Sequence, residues 1–275
     1  MPHGAPGAPE APLPAVREEA SWIELFLDLV VVAGIGLLTH LLHDGPTLDG
    51  LALYTLAYFA FWTAWTGLTV YSSVQGERAR ITTLLLGMAG MAVLAASATG
   101  LPTSHATAFT VAYILLRLLA GRVWRPGTVV VDWPLAQAGV GTLPWIASLW
   151  TDGALRSWLW ALGIALDFIV LFTVSGSRML SDTLARIERS RARSGPGRGP
   201  ARQATAVAAR VRLPHMAERL GLYVIIILGE GVIQTVTALS EVPWTAPVVA
   251  TSLGAFMCLI GLWALGLVRG FAGIP

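Results

Sequence analysis

Acidic side chains lie inside several long apolar stretches of this 275-residue sequence. They are Glu24, Asp28, Asp132, Asp167 and Glu230. If these stretches cross a bilayer, each charged group costs about 3 kcal/mol or more by insertion scales. Such residues are therefore candidates for proton transfer, for ligand binding or for internal ion pairs.

Glu24 and Asp28 are four residues apart, so on a helix they share one face. Repulsion between two neighbouring carboxylates favours protonation of one of them. A neutral carboxylic acid in apolar surroundings can donate a proton, which makes this pair a candidate acid. The alternative interpretation is structural: Glu24 caps the start of the helix and Asp28 hydrogen-bonds to a neighbouring helix.

A second polar segment opens a later apolar stretch with Pro214, a residue that suits a helix start. Next come His215, Glu218 and Arg219. His215 shares a helix face with Glu218 at a spacing of three and with Arg219 at a spacing of four. We expect this segment to lie at the same membrane depth as the first acidic pair, where His215 and Glu218 would supply or orient a base.

Glu230 follows Glu218 by twelve residues, about 18 Å along a helix, which predicts a position near the middle of the membrane. Asp167 and Arg117 are predicted at a similar depth. The sequence leaves two interpretations of these three residues open. They form a buried ion-pair network that fixes helix packing, or they bind a proton or a ligand.

Trp62 and Trp65 lie within the second apolar stretch. Their rings either pack in the interior or line a cavity and stabilise positive charge. The only His-x-x-Glu pair is reversed relative to the di-metal pattern, so we expect no metal and no cofactor. No phosphate-binding loop, dinucleotide fingerprint or nucleophile elbow occurs, so nucleotide-driven and hydrolytic chemistry lack support.

The elements that must position these residues are apolar stretches of about 20 residues, the length of a helix that crosses the bilayer core. The chain is 55% hydrophobic and 12% charged, with a mean hydropathy of +0.67. This composition excludes an ordinary soluble domain. The sequence predicts an all-α, polytopic transmembrane bundle of about eight spans, at 22–42, 48–71, 81–101, 106–123, 129–150, 155–174, 220–239 and 246–268.

Arginine provides all the basic side chains, and it concentrates in alternate connections between the stretches. Because positive loops are retained in the cytosol, both termini are predicted to be cytosolic. The predicted parts are a disordered tail at 1–20, spans one to six at 21–174, a basic cytosolic loop at 175–214, and spans seven and eight at 215–275. We expect membrane lipids as partners and no nucleic acid, and the oligomeric state stays open.

Two segments of the sequence together resemble the bacterial low-temperature-requirement A (LtrA) family of integral membrane proteins. They are ELFLDLVVV at 24–32 and HMAERLGL at 215–222 with LGE at 228–230, and residues 62–80 and 112–117 are also similar. The resemblance implies a multi-pass protein of the bacterial inner membrane and marks these acids without naming a reaction. Family members usually continue with further spans, so it also implies a chain shortened at the C-terminus.

Three functional interpretations remain. The first is an intramembrane enzyme that performs acid–base chemistry on a lipophilic, isoprenoid-like substrate, for example by protonating a double bond or epoxide to start cyclisation. The alternative is a proton-coupled small-molecule transporter that uses Glu230, Asp167 and Arg117. The third is an accessory protein whose acids pair only internally. The candidate catalytic residues are Glu24, Asp28, His215, Glu218 and Glu230, and the candidate substrate-binding residues are Trp62, Trp65, Arg117 and Asp167.

Overall fold

The computed structural model describes residues 21–42, 47–122, 124, 128–130, 139–194, 207–209, 211 and 213–268. Within them the chain is helical, apart from one pair of three-residue parallel strands. The elements are α1 Trp22–Leu38, α2 Leu48–Gln75, α3 Ile81–Ala98, α4 Ala106–Arg122, β1 Thr128–Val130, α5 Thr142–Ala147, α6 Gly153–Thr173, α7 Gly176–Ser194, β2 Val207–Ala209, α8 Leu213–Ser240 and α9 Ala246–Trp263. The predicted tail at 1–20 and Asp132 lie outside the described residues.

Five helical segments are long and apolar enough to cross a membrane: Trp22–Leu42, Ile81–Ala98, Gly153–Thr173, Pro214–Ser240 and Ala246–Val268. The apolar helix α4 is slightly shorter, and α2 is long enough but carries buried threonines and serines between Thr63 and Ser73. These elements give the helical membrane protein that the composition predicts.

The predicted fifth span does not form one continuous helix. At its start the structure places β1, and after residue 138 it places only the six-residue helix α5 followed by a 3-10 turn, Ser148–Trp150. Gly139, Gly141 and Pro144 explain the short helix, because glycine and proline disfavour the helix interior.

The segment predicted as a basic loop, 175–214, contains the 19-residue helix α7. Its apolar residues recur about one helical turn apart, at Met179 and Leu180 and then at Leu184. This spacing favours an amphipathic helix even where arginines dominate the composition. The prediction of a loop is therefore wrong for residues 176–194.

Contacts between distant residues define the relative directions of the helices. Along α1 and α8, Glu24 meets His215 and Asp28 meets Arg219, so these two helices run parallel. A second parallel pair is α4 and α6. By contrast, α9 runs antiparallel to α8, because Gly231 faces Leu259 and Gly266 faces Val224.

In the pair of α4 and α6, the Trp160 indole donates to Thr110, and further along both helices Arg117 reaches Asp167. The contacts advance together along both helices, which establishes their common direction. The connection between them therefore starts and ends at opposite ends of the bundle.

The apolar core lies among α1 to α6. Leu27, Phe61, Met91, Phe109 and Trp160 are fully buried there. α8 adds only residues at the margin of this core, and no residue of the described part of α9 is buried. The α8–α9 hairpin is thus peripheral, and it is joined to the core through the contact between α8 and α1.

Candidate functional site

A cluster of charged residues joins α1 to α8 near the start of both helices. Arg219 is fully buried and forms two hydrogen bonds with Asp28, from Nη2 to Oδ1 at 2.8 Å and from Nε to Oδ2 at 2.9 Å. Its Nη1 lies 3.4 Å from Glu24 Oε1. His215 Nε2 lies 3.2 Å from Glu24 Oε2. The two polar segments of the sequence therefore meet, which agrees with their predicted common depth.

Local structure explains the position of Glu24. The backbone N–H and the hydroxyl of Ser21, the residue before α1, donate to Glu24 Oε2 at 3.1 and 3.0 Å. A Glu at the third helical position commonly satisfies the first backbone donor in this way. Glu24 thus caps the start of α1 and also contacts Arg219 and His215 of α8.

Asp28 is held from α2 as well. The Trp65 indole N–H donates to Asp28 Oδ1 at 2.7 Å, and Tyr223 of α8 stacks on the Trp65 ring with centroids 4.4 Å apart. Ser72 accepts from Arg219 Nη1 at 2.6 Å. Three helices therefore hold Asp28 and Arg219 together, and donors surround the carboxylate.

This arrangement corresponds to the structural alternative for the acidic pair. The expectation that mutual repulsion protonates one acid leaves out the arginine between them. Arg219 donates two hydrogen bonds to Asp28 and contacts Glu24, so its positive charge lies between the two acids. Asp28 accepts three hydrogen bonds, so its geometry is that of an ion-pair partner and not of a proton donor.

Glu218 lies apart from this cluster. Its side chain is exposed, although it shares the first turns of α8 with His215 and Arg219. Residues 215, 219 and 223 lie on the face toward α1 and α2, and Glu218 lies about 100° from the centre of that face. The prediction that Glu218 works beside His215 is therefore not supported by the geometry.

A second buried ion pair joins α4 to α6. Arg117 Nη2 lies 3.0 Å from Asp167 Oδ1, and both side chains are nearly inaccessible to solvent. The Tyr113 hydroxyl donates to Asp167 Oδ2 at 3.4 Å and lies 3.1 Å from the Thr63 hydroxyl of α2. A Cβ at Gly141 would overlap the Asp167 carboxylate, so a glycine is needed for this approach.

Glu230 belongs to neither cluster, so the predicted three-residue network with Asp167 and Arg117 is divided. It accepts a hydrogen bond from Gln234 Nε2 at 2.7 Å, and its carboxylate lies against Gly36 of α1, where a Cβ would overlap it. Within the described residues, no cation lies within ion-pair distance of Glu230. It is half-buried on α8, between Gly36 and the exposed Gln234.

The two candidate tryptophans are engaged by aromatic neighbours. Trp62 stacks on Phe168 of α6, with centroids 5.8 Å apart and an interplanar angle of 10°, and Trp65 stacks on Tyr223. This stacking agrees with the interpretation that the two rings pack in the interior. It also joins α2 to α6 and to α8. A cavity of about 670 Å³ lies elsewhere, between the α3–α4 turn and the start of α6, where Thr103 and Arg156 line it.

Sequence reasoning missed the central role of Arg219, and it missed Ser72, Tyr113 and Tyr223. Two signals were available. An arginine inside an apolar helix requires a partner, and the i, i+4 spacing of 215, 219 and 223 places three polar side chains on one face. No group of three or more His, Cys, Asp and Glu side chains suited to a metal occurs in the described part of the chain.

Comparison with known proteins gives one match. A family model described as "Bacterial low temperature requirement A protein (LtrA)" matches residues 19–265, which include both ion-pair clusters and Glu230. No curated protein matches the chain. No solved structure matches it either.

Proposed function

The chain belongs to the bacterial low temperature requirement A (LtrA) family, and from this premise we propose that it is a proton-coupled small-molecule transporter of the bacterial inner membrane. The family description names no reaction, so the proposal depends on the site. Glu230 is the proton-carrying group, and the Arg117–Asp167 pair is a contact that opens and closes with the transport cycle.

The observation that carries this proposal is the environment of Glu230. The buried acids Glu24, Asp28 and Asp167 each have an arginine partner, whereas the described partner of the half-buried Glu230 is a neutral amide. Carboxyl groups within membrane spans commonly serve as proton relays, and an ion pair does not occupy this one.

The position of Glu230 also suits this role. It follows Arg219 by eleven residues, about 16 Å along α8, which places it near the middle of the membrane. Gly36 leaves room for its carboxylate at the interface between α1 and α8. A proton carrier at this depth lies between the two aqueous phases and at a helix interface that can change during transport.

Arg117 and Asp167 are the second element of the mechanism. A buried ion pair is strongly favoured while both charges remain paired, and loss of one charge leaves the other uncompensated. We assign this pair to the closed state of the α4–α6 interface, where Tyr113 and Thr63 extend the hydrogen bonds. Protonation of Asp167 or binding of a charged solute would release it.

The directions of the helices are compatible with eight membrane crossings and with both termini in the cytosol. Because α4 and α6 run parallel, we infer one further crossing between the end of α4 and the start of α6. The parallel α1 and α8 then start on the same side as the arginine-rich segment 175–212. The antiparallel α9 returns the chain to that side, which the positive charge assigns to the cytosol.

An acid–base enzyme for a lipophilic, isoprenoid-like substrate is the second candidate. The observation that favours it is the His215–Glu24 pair, in which a histidine and a carboxylate lie 3.2 Å apart at the start of α8. Asp28 supports it less well, because its oxygens already accept from Trp65 and Arg219. The stacked rings of the two tryptophans also leave less apolar surface for a substrate.

Proton flux into proteoliposomes tests the proposal. Purified protein is reconstituted with a pH-sensitive dye inside the vesicles, and a mixture of amino acids, sugars and amines is added outside. We expect a solute-dependent pH change that Glu230→Gln abolishes, whereas Glu218→Gln, which removes an exposed carboxylate from the same helix, retains it. Wild-type flux in Glu230→Gln would refute the role of Glu230. Turnover of isoprenoid substrates by mass spectrometry, without any flux, would favour the enzyme.

A further inference from the structure

Helix α7 has two chemically different faces and is separated from the end of α6 by only two residues, 174 and 175. Because α6 is a candidate membrane span, the start of α7 lies at the membrane boundary. The helix is 19 residues long, and its sequence contains five arginines and two acids. Its position and composition are those of a helix at the surface of a bilayer.

One face of α7 is apolar and lies outside the apolar core. Met179 and Leu180 are only half-buried, and Leu184 is 42% exposed. None of the three belongs to the buried cluster formed by the other helices or to the residues packed against it. α7 also contacts β1. Leu184, the most exposed of the three, is therefore the residue available to the acyl region just below the headgroups.

The opposite face is basic. Arg178, Arg186 and Arg189 are exposed, and on a helical projection they lie on the side away from Leu180. Asp182 lies among them. Because three arginines outnumber this one acid, the face carries a net positive charge. An apolar face with a basic face opposite to it matches an anionic lipid surface both in hydrophobicity and in charge.

We propose that α7 lies in the membrane–water interface and binds the headgroups of anionic phospholipids through Arg178, Arg186 and Arg189. The apolar face inserts between the lipids and fixes the orientation of the helix. Arginine suits this contact because its planar guanidinium donates two hydrogen bonds to a phosphate group. This inference is independent of the proposed transport function, since it depends only on the position and faces of α7.

Fluorescence quenching in nanodiscs tests the proposal with the full chain. The single cysteine, Cys258, is replaced by serine, and a new cysteine is placed at Leu184 on the apolar face or at the exposed Asp182 on the basic face. Each is labelled with an environment-sensitive dye. In nanodiscs that contain phosphatidylglycerol, we expect spin-labelled lipids to quench the dye at position 184 and leave the dye at position 182 unquenched.

Neutralising the basic face identifies the ligand. In the triple variant Arg178→Gln, Arg186→Gln and Arg189→Gln, quenching at position 184 that depends on phosphatidylglycerol should be lost. The matched variant Arg78→Gln, Arg80→Gln removes exposed arginines from the α2–α3 connection and should retain it. Raising the salt concentration should weaken the wild-type signal, because the contact is electrostatic.

Two results would overturn the inference. Equal quenching at position 184 in phosphatidylcholine and in phosphatidylglycerol would mean that apolar insertion alone holds α7. A dye at position 184 that stays in water in both lipids would mean that the helix leaves the membrane surface. Both results are distinct from a failure of proton transport, which is measured in a separate assay.

Discussion

Arg219 and Asp28 form a bidentate ion pair between α8 and α1, with nitrogen-to-oxygen distances of 2.8 and 2.9 Å. Both side chains are fully buried. A pair of this kind costs desolvation energy when it forms, and removing one partner is more damaging because it leaves the other charge without compensation. The pair also joins α8 to the core, to which the α8–α9 hairpin has few other contacts.

The first prediction concerns the stability of this pair. Arg219→Gln should lower the free energy of unfolding by about 3–5 kcal/mol, because it leaves the buried Asp28 carboxylate without its cation. Asp28→Asn should lower it by less, because Arg219 keeps its contact with Glu24. The double variant should be about 1–3 kcal/mol more stable than the sum of the two losses predicts, since the two residues interact directly. Unfolding of purified protein by sodium dodecyl sulfate, followed by circular dichroism, measures these differences.

Glu218→Gln is the control for this series. It removes an exposed carboxylate from the same helix and should change the free energy of unfolding by less than about 0.5 kcal/mol. If the losses in Asp28→Asn and Arg219→Gln are simply additive, the two side chains do not stabilise the protein as a pair. Small losses in both single variants would show that α8 is held mainly by apolar contacts.

The meeting of α1 with α8 was within reach of sequence reasoning. Polar residues four apart in two apolar helices place each set on a single face, and a common depth allows the two sets to meet. The structure has this register, with Glu24 opposite His215 and Asp28 opposite Arg219. The interpretation of the acids themselves did not follow. It treated Glu24 and Asp28 as a repelling pair and left out the positive charge of Arg219.

Depth along the membrane does not determine which helices are neighbours. Glu230, Asp167 and Arg117 were predicted at similar depth, yet Glu230 lies against Gly36 while Arg117 binds Asp167. Which helices lie side by side depends on close packing, for example on glycines that permit approach, and hydropathy carries no information on this.

Local backbone effects explain two further differences. The apolar composition of 129–150 suggested a span, but its glycines and proline leave only the short helix α5 in the described part. For 175–214 the arginines suggested a loop, although the spacing of Met179, Leu180 and Leu184 favours a helix. In 175–214 residue spacing was the better guide to the helix, whereas in 129–150 the backbone residues limit how much of the segment is helical.

The second prediction concerns the crossing between α4 and α6. In a Cys258→Ser background, single cysteines at Ser104 and Ala154, which are both exposed, should react with a membrane-impermeant maleimide added to intact cells. A cysteine at Ser177, at the exposed start of α7, should react only after the membrane is opened. The reason is that parallel α4 and α6 both start on the outer side. Reaction of Ser104→Cys and Ala154→Cys from opposite sides would exclude a crossing between them.

The third prediction concerns the space beside Glu230. A Cβ at Gly36 would overlap the Glu230 carboxylate, whereas a Cβ at Gly229 meets no atom within 4 Å. The carboxylate ends a flexible side chain, so Gly36→Ala should displace it with little loss of stability. Because the displaced group is the proposed proton carrier, proton-coupled uptake should slow by roughly 5- to 150-fold, which corresponds to a coupling of about 1–3 kcal/mol. Gly229→Ala is the control, since it adds the same methyl group to the neighbouring position of Glu230 without a contact, and it should retain the wild-type rate in the proteoliposome assay.

A second substitution distinguishes two causes of slow uptake in Gly36→Ala. The methyl group either displaces the Glu230 carboxylate or alters the packing of α1. Aspartate is one methylene shorter than glutamate, so Glu230→Asp withdraws the carboxylate from α1. In the double variant Gly36→Ala, Glu230→Asp, the added methyl group therefore has room, and proton-coupled uptake should exceed that of Gly36→Ala alone. If the double variant stays as slow as Gly36→Ala while both proteins unfold at the wild-type temperature, the methyl group acts through α1 itself. Contact between Gly36 and the Glu230 carboxylate would then have no part in transport.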